Sequence, residues 1–239
     1  MAKEVIFVAD DLGMSPEIND AIIYAHYSGQ LNAAALMMGQ PGTEEAVALA
    51  RENPSLCLGW HLHLNDSLPA TVDCWPWGAS PAAAGVAIGI SRRARELMRR
   101  EVAAQWEQFC RTGLPCKFIN SHHHLHAHPY VFQALRETVG SDCRGWIRLG
   151  QACSIGRPNP PLTWRLFDAL LIAGRRLTSP WPSPETLWGV DRTFRMDANE
   201  VRATLATLPD GFHEFLFHPR TRTSADTLCL LELRESPPA

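Results

Sequence analysis

"VIFVADDLGMSPEINDAI", residues 5–22, holds a complete strand-to-helix unit. Residues 5–9 are a short apolar run rich in valine and isoleucine, which reads as a strand. Ser15-Pro16 then carries the mark of a helix start. The hydroxyl can accept from the free amides of the first turn, and proline's fixed φ suits the first helical position. The helix is expected to reach about His26, with Gly29 as its stop. Between strand and helix sit two carboxylates, Asp10 and Asp11.

Outward from this unit the same alternation repeats. Strands are expected at 31–38, 56–64, 117–120, 145–149, 186–190 and 212–217. Helices are expected at 43–51, 91–110, 130–138, 162–177 and 199–208, the last capped at Asp197. Residues 66–90, rich in Pro, Gly, Ala and Trp, read as an irregular loop, and so do residues 151–161. Alternating strands and helices imply a parallel sheet. About seven such units imply an α/β fold, a single-domain (β/α) barrel over residues 1–239, distorted or incomplete. No Gly-rich loop follows the first strand, which argues against a nucleotide site.

Composition narrows the class. The chain has 239 residues, 46% of them hydrophobic, and a formal charge of -3. That is enough apolar material for one large core. With no basic block standing out, neither nucleic acid nor a membrane surface is an expected partner. No apolar run is long enough to span a bilayer. The N-terminus meets acidic residues too early for a signal peptide. Seven cysteines without a C-x-x-C pair read as reduced thiols in a cytoplasmic protein.

The polar residues fall at the strand ends: Asp10 and Asp11, His61 and His63, Asn120 and His122, Arg148, and His218. In parallel α/β folds these ends converge on one face, where active sites form. Alternation with period two puts His61 and His63 on one face of their strand. "INSHHHLHAHP", residues 119–129, adds five histidines behind another strand. Asp and His donors from separate strands make a mixed O/N set that leaves positions open for water and substrate. A second carboxylate can act as general base, and a histidine across the site as general acid. Arg148 can orient a carboxylate or hold a substrate oxygen. This is equipment for hydrolysing an amide or ester. His26 and His213 read as packing or surface groups, His123 and His124 as supporting or loop residues, and Trp75 and Trp77 as candidate sugar-stacking platforms.

"VADDLGMSPEINDAI", "SLCLGWHLHL", "INSHHHLHAHP" and "FLFHP" resemble the motifs of the YdjC-like carbohydrate deacetylases, over residues 4–149 and again around His218. The resemblance implies a (β/α) barrel, a divalent metal ion (magnesium, with zinc or another transition ion as the alternative) and removal of acetyl groups from N-acetylated sugars. It implies Asp11, His61 and His122 as metal ligands, Asp10 as general base and His218 as general acid, with a pKa near neutrality. Arg148 joins the catalytic set. Asn120 stands where the family has Asp, so a neutral amide replaces a carboxylate that would orient a ligand histidine. Trp60 precedes His61 where the family has a smaller residue, and the chain is short after His218, where relatives add a helix. Two other readings use the same residues. One is a metal-dependent phosphoesterase, the other a non-catalytic metal- or sugar-binding protein on the same scaffold, which would not need Asp10. The expected partner is an N-acetylated saccharide, with a homodimer open.

Overall fold

The leading run forms a longer strand than its apolar stretch suggests. In the structure, a computed structural model describing residues 2–155, 162 and 178–235, β1 spans Lys3–Leu12 and carries both aspartates within it. The other strands are β2 (Ala33–Leu36), β3 (Cys57–Leu62), β4 (Phe118–Ser121), β5 (Trp146–Ile147), β6 (Gln151–Cys153), β7 (Thr186–Trp188) and β8 (Gly211–Phe217). They form one sheet in the order β5-β4-β3-β2-β1-β8-β7-β6. Every neighbouring pair is parallel. The sheet curls as an incomplete barrel whose edges are β5 and β6, with no ladder between those two among the described residues.

Among the described residues the α-helices are α1 (Pro16–Ser28), α2 (Thr43–Glu52), α3 (Pro81–Ile90), α4 (Arg92–Arg111), α5 (Pro129–Val139), α6 (Ala198–Thr207) and α7 (Ala225–Glu235). The α1 signals act as expected: the Ser15 hydroxyl accepts from the Ile18 amide, Pro16 opens the helix and Gly29 closes it. Asp197 caps α6 by accepting from Asn199 and Glu200. The helix expected over 162–177 falls outside the described residues apart from Leu162.

Three features correct the sequence reading. First, a strand, β6, lies where a loop is expected, so the sheet has eight strands among the described residues, in line with the expected count of about seven. β6 has only three residues, too few for a periodicity to show. Gly150 lets it approach β7, since a Cβ there would lie 2.8 Å from the Thr186 backbone. Second, residues 66–90 are not all loop, for α3 occupies Pro81–Ile90. Its start repeats the α1 signal: Ser80 accepts from the Ala83 amide and Pro81 follows. Alanines and glycines leave no apolar periodicity to reveal it. Third, a helix does follow His218, namely α7.

Alternation along the strands sorts side chains into two environments. Phe7, Ala9, Leu58, Trp60, Leu62, Ile119, Phe215 and Phe217 join the large core beneath the helices. Val8, Ala33, Ala35 and Phe118 form a smaller interior cluster, with Ile6, Cys57 and Trp146 against it. Gly59 belongs to this inner layer, where a Cβ would come 2.5 Å from the Phe118 ring. Gly59→Ala is therefore expected to lower stability by about 1–3 kcal/mol through overpacking, read as a lowered denaturant midpoint at unchanged m-value.

Candidate active site at the mouth of the barrel

The same alternation that puts Val8, Gly59, Phe118 and Trp146 on the inner face puts Asp10, His61, Asn120 and Arg148 there two residues later. The strand register aligns them. His61 pairs with Asn120 across β3 and β4, and Ala9 pairs with Phe217 across β1 and β8, so Asp10 and His218 are the next residues of neighbouring strands.

Asp11 depends on an irregularity. The β1–β2 register shifts between Ala9 and Leu12, and Asp11 takes φ +69. A bulge of this kind re-aims a side chain. The turn after it is pinned from α1, where buried Asn19 accepts from the Gly13 amide at 2.7 Å and donates to Gly42 O at 2.8 Å. Asp11 Oδ1 then lies 3.3 Å from His61 Nε2 and 2.9 Å from His122 Nδ1. The ligand atoms of Asp11, His61 and His122 lie within 4.8 Å of one another. Asp11 Oδ2, His61 Nε2 and His122 Nε2 are buried without a hydrogen-bond partner. Buried polar atoms without partners are rare and call for an explanation; three of them on residues whose ligand atoms cluster this closely fit a divalent cation. The Arg220 guanidinium stands 3.3 Å from Asp11 Oδ2 and lies over the Phe194 ring.

Asn120 resolves the substitution noted in the sequence. Its Oδ1 accepts from His61 Nδ1 at 2.7 Å, and its Nδ2 donates to Asp10 Oδ1 at 2.8 Å. The amide thus fixes the His61 tautomer with Nε2 open, the service a carboxylate would perform.

Asp10 is held by Arg148, which donates from both terminal nitrogens, 2.5 Å to Oδ2 and 2.9 Å to Oδ1. The Arg148 Nε donates to Glu214 Oε1 at 2.5 Å. All three residues are buried. Burial pushes Asp10 up, but the opposing charges of Arg148 and His61 prevail and bring its pKa to about 2. Burial wins at Glu214 and raises it above the usual carboxylate range despite Arg148. Glu214 escapes the sequence reading; its signal is a carboxylate inside the apolar strand "FHEFLF".

The five clustered histidines have separate tasks. His122 joins the candidate metal centre. His123 Nε2 lies 3.7 Å from Asp66 Oδ2. His123 and His124 both adopt left-handed backbone, with φ +54 and +58. His126 is a strut: the Ser121 hydroxyl accepts from the His126 amide and faces Nδ1 at 2.7 Å, while Nε2 donates to Arg148 O at 2.5 Å. His128 caps α5. His63 does not join the centre; β3 stops at Leu62, and the ring is committed to Met38 O and Ser67 Oγ. His26 and His213 are structural bridges, as expected.

His218 follows β8, with its amide bonded to Asp226 Oδ2 and its Nδ1 buried without a partner. Here the structure corrects the expectation of near-neutral titration. Burial pushes the imidazole to about 4, against the pull of Asp11 and Asp10. Trp75 and Trp77 stack on each other at 5.6 Å, and their indole nitrogens donate to Ser67 O and Leu64 O. They brace the loop after β3.

Arg148→Met should destabilise the fold by about 3–5 kcal/mol, because it strands two buried carboxylates. Asp10 has a folded pKa of about 2 against 3.8. Its stabilisation is complete above pH 3.8 and is lost as pH falls toward 2. Without Arg148 that term disappears, so acid unfolding should begin at higher pH, as followed by circular dichroism.

Comparison with known proteins shows the family. A family model described as YdjC-like protein matches residues 4–235, and so runs through the 150–210 region that the motifs left blank. A carbohydrate deacetylase of Vibrio campbellii is 36% identical over 154 residues, covering 64% of this chain and 61% of the relative. One from Brevibacillus brevis is 38% identical over 130 residues, covering 54% and 52%. The matches thus span between half and two thirds of those relatives' length. A crystal structure from Enterococcus faecalis, named for cellobiose-phosphate cleavage, superposes with a TM-score of 0.70 at 19% identity, over 98% of this chain and 94% of that one; this likeness speaks to the fold alone. The chain belongs to the YdjC-like family.

Proposed function

We propose that the chain is a metal-dependent hydrolase that removes the acetyl group from N-acetylated carbohydrates. The observation that carries this reading is the junction of two sets. Asp11, His61 and His122 bring buried ligand atoms within 4.8 Å of one another and each leaves a buried polar atom without a partner, and Asp10 and His218 flank them from neighbouring strands. The carbohydrate deacetylases among its relatives supply the substrate class.

Asp11, His61 and His122 would hold the ion. When bound, a divalent ion supplies Lewis acidity toward the acetyl carbonyl and an attacking water. The resemblance implies magnesium, whereas imidazole nitrogen suits zinc or another transition ion better. Asp10, ionised throughout the working pH range, takes the proton of the water, and Arg148 orients it. That grip lowers basicity in exchange for a fixed direction of attack. His218 is uncharged at neutral pH, so the proton it delivers to the leaving nitrogen must reach it during the reaction. The proton taken up by Asp10, on the neighbouring strand, supplies it. The water oxygen ends on the acetyl carbon, the C–N bond breaks, and acetate and a free amino sugar leave. The seven free thiols support a cytoplasmic setting. Among the described residues no helix is long and apolar enough to cross a membrane.

Four variants test the roles. Asp11→Asn and His61→Gln should lose the ion in elemental analysis, which also identifies it. Asp10→Asn should keep the ion and slow acetate release from N-acetylated sugars by roughly 10²–10⁴; loss of the ion would instead make Asp10 a ligand. His218→Gln should slow amide hydrolysis far more than that of an activated ester, whose leaving group needs no proton. Equal slowing of both substrates removes His218 as the general acid.

A further inference from the structure

Helix α3 leads directly into α4, and the pair carries a surface that deacetylation does not use. The α3 sequence, PAAAGVAIGI, contains no polar side chain, yet the helix buries only Ala84 and Ile88. Val86 and Ile90 are 61% and 79% exposed, and Pro81, Ala82 and Ala83 are exposed beside them. A helix apolar on every side is normally enclosed; this one is not.

The next segment of the chain is cationic. Ser91 closes α3 and caps α4, and α4 opens with RRARELMRR. Arg92, Arg93, Arg99 and Arg100 are all exposed. In a chain with a formal charge of -3, this is a local concentration of positive charge. Acids border it as well: Glu96 on the same helix, which also lines the adjoining cavity, Glu137 on α5, 3.9 Å from Arg99, and exposed Asp73 between the lining residues Val72 and Cys74, so four exposed arginines stand against three acids. Glu101 is buried and committed to the Ala70 and Thr71 amides. Arg95 is turned inward, donating to Ile88 O and Gly89 O and lying over the Tyr130 ring. Between α3, α4 and the loop after β3 lies a cavity of about 900 Å³. Trp77, Ala87 and Leu97 give it apolar walls, and Arg93, Arg99 and Arg100 line it as well.

We infer that this face docks on an anionic lipid surface. Exposed aliphatic side chains bordered by arginines match the boundary between acyl chains and negatively charged headgroups. The arginine-lined cavity offers room for a headgroup. The charge argument selects this occupant, because a second copy of the chain would bring the same cations against these. Whole-chain composition predicts no membrane surface, since a net negative charge conceals the block at 92–100. The surface adjoins the site, because α3 packs on the histidine segment 122–127, with Gly89 within 3.7 Å of His128 Nε2 once a Cβ is placed on it. The inference is independent of the reaction catalysed.

The test is co-sedimentation of the full chain with phosphatidylglycerol/phosphatidylcholine vesicles and with pure phosphatidylcholine vesicles. Binding is expected on the anionic vesicles only, weakening as salt is raised from about 0.1 M to about 1 M. Each arginine replaced should weaken it about fivefold, so Arg93→Gln with Arg100→Gln should lose about twenty-five-fold. Ile90→Gln should cost about tenfold by removing its buried aliphatic area. These positions are exposed, so melting curves should match the parent and separate lost binding from lost folding. Absence of binding, equal binding to both vesicle types, or variants that bind like the parent would overturn the inference. So would self-association abolished by Ile90→Gln in a chain that ignores vesicles, which would make this face a contact between two copies.

Discussion

One guanidinium braces the structure. Arg148 follows β5, at an edge of the sheet, and reaches across the interior to Asp10 on β1 and Glu214 on β8. Three strands separate β5 from β1 in the sheet, so the contact can only pass through the barrel's inside. Among the described residues no ladder joins the edges β5 and β6, and the buried ion triad ties β5 to the middle of the sheet. The triad needs its own foundation. Trp146 stacks on Phe118 at 4.6 Å and sends its indole nitrogen toward Glu214 Oε2. An apolar layer of Val8, Ala33, Ala35 and Phe118 thus supports a polar layer of Asp10, His61, Asn120, Arg148 and Glu214. Desolvation by the lower layer strengthens each charge interaction in the upper one.

The reactive groups inherit their directions from this layering, and where alternation cannot aim a side chain the backbone is bent to do so. Asp10 and Asp11 are adjacent, so a regular strand would send them to opposite faces. The bulge in β1 and the left-handed Asp11 turn both toward the mouth. Strain of this kind costs of order 1–3 kcal/mol per residue and survives only where the surroundings fix it. Here Asn19 grips the Asp11–Gly13 turn from α1, and His126 anchors the end of the histidine turn to Ser121 and to Arg148 O.

Strand–helix alternation is legible in the sequence because most strands and most helices carry local marks: β-branched runs, Ser-Pro starts, glycine stops. Asp11, His61, His122, Asp10, Arg148 and His218 are legible in the same way, as strand-end groups. The concealed features are of another kind. β6 and Glu214 have meaning only against partners distant in sequence: β6 because three residues show no period, Glu214 because a buried carboxylate is sensible only once Arg148 is seen beside it. The low pKa of His218 is likewise a property of enclosure. The α3 helix is hidden for a local reason, since alanine and glycine blur the helical period even though Ser80-Pro81 marks its start.

Asn120 shows why a residue's role cannot be transferred by its family identity alone. A carboxylate there would also accept from His61, but it would place a further negative charge 2.8 Å from Asp10, which already shares one guanidinium with Glu214. Two carboxylates at that distance cannot both stay ionised unless a cation or a proton lies between them. The amide satisfies both neighbours as a neutral group, accepting on one side and donating on the other. Asp10 can therefore stay charged, as the base role proposed for it requires. The substitution removes a charge and keeps the hydrogen bonds, and the hydrogen bonds set where His61 points.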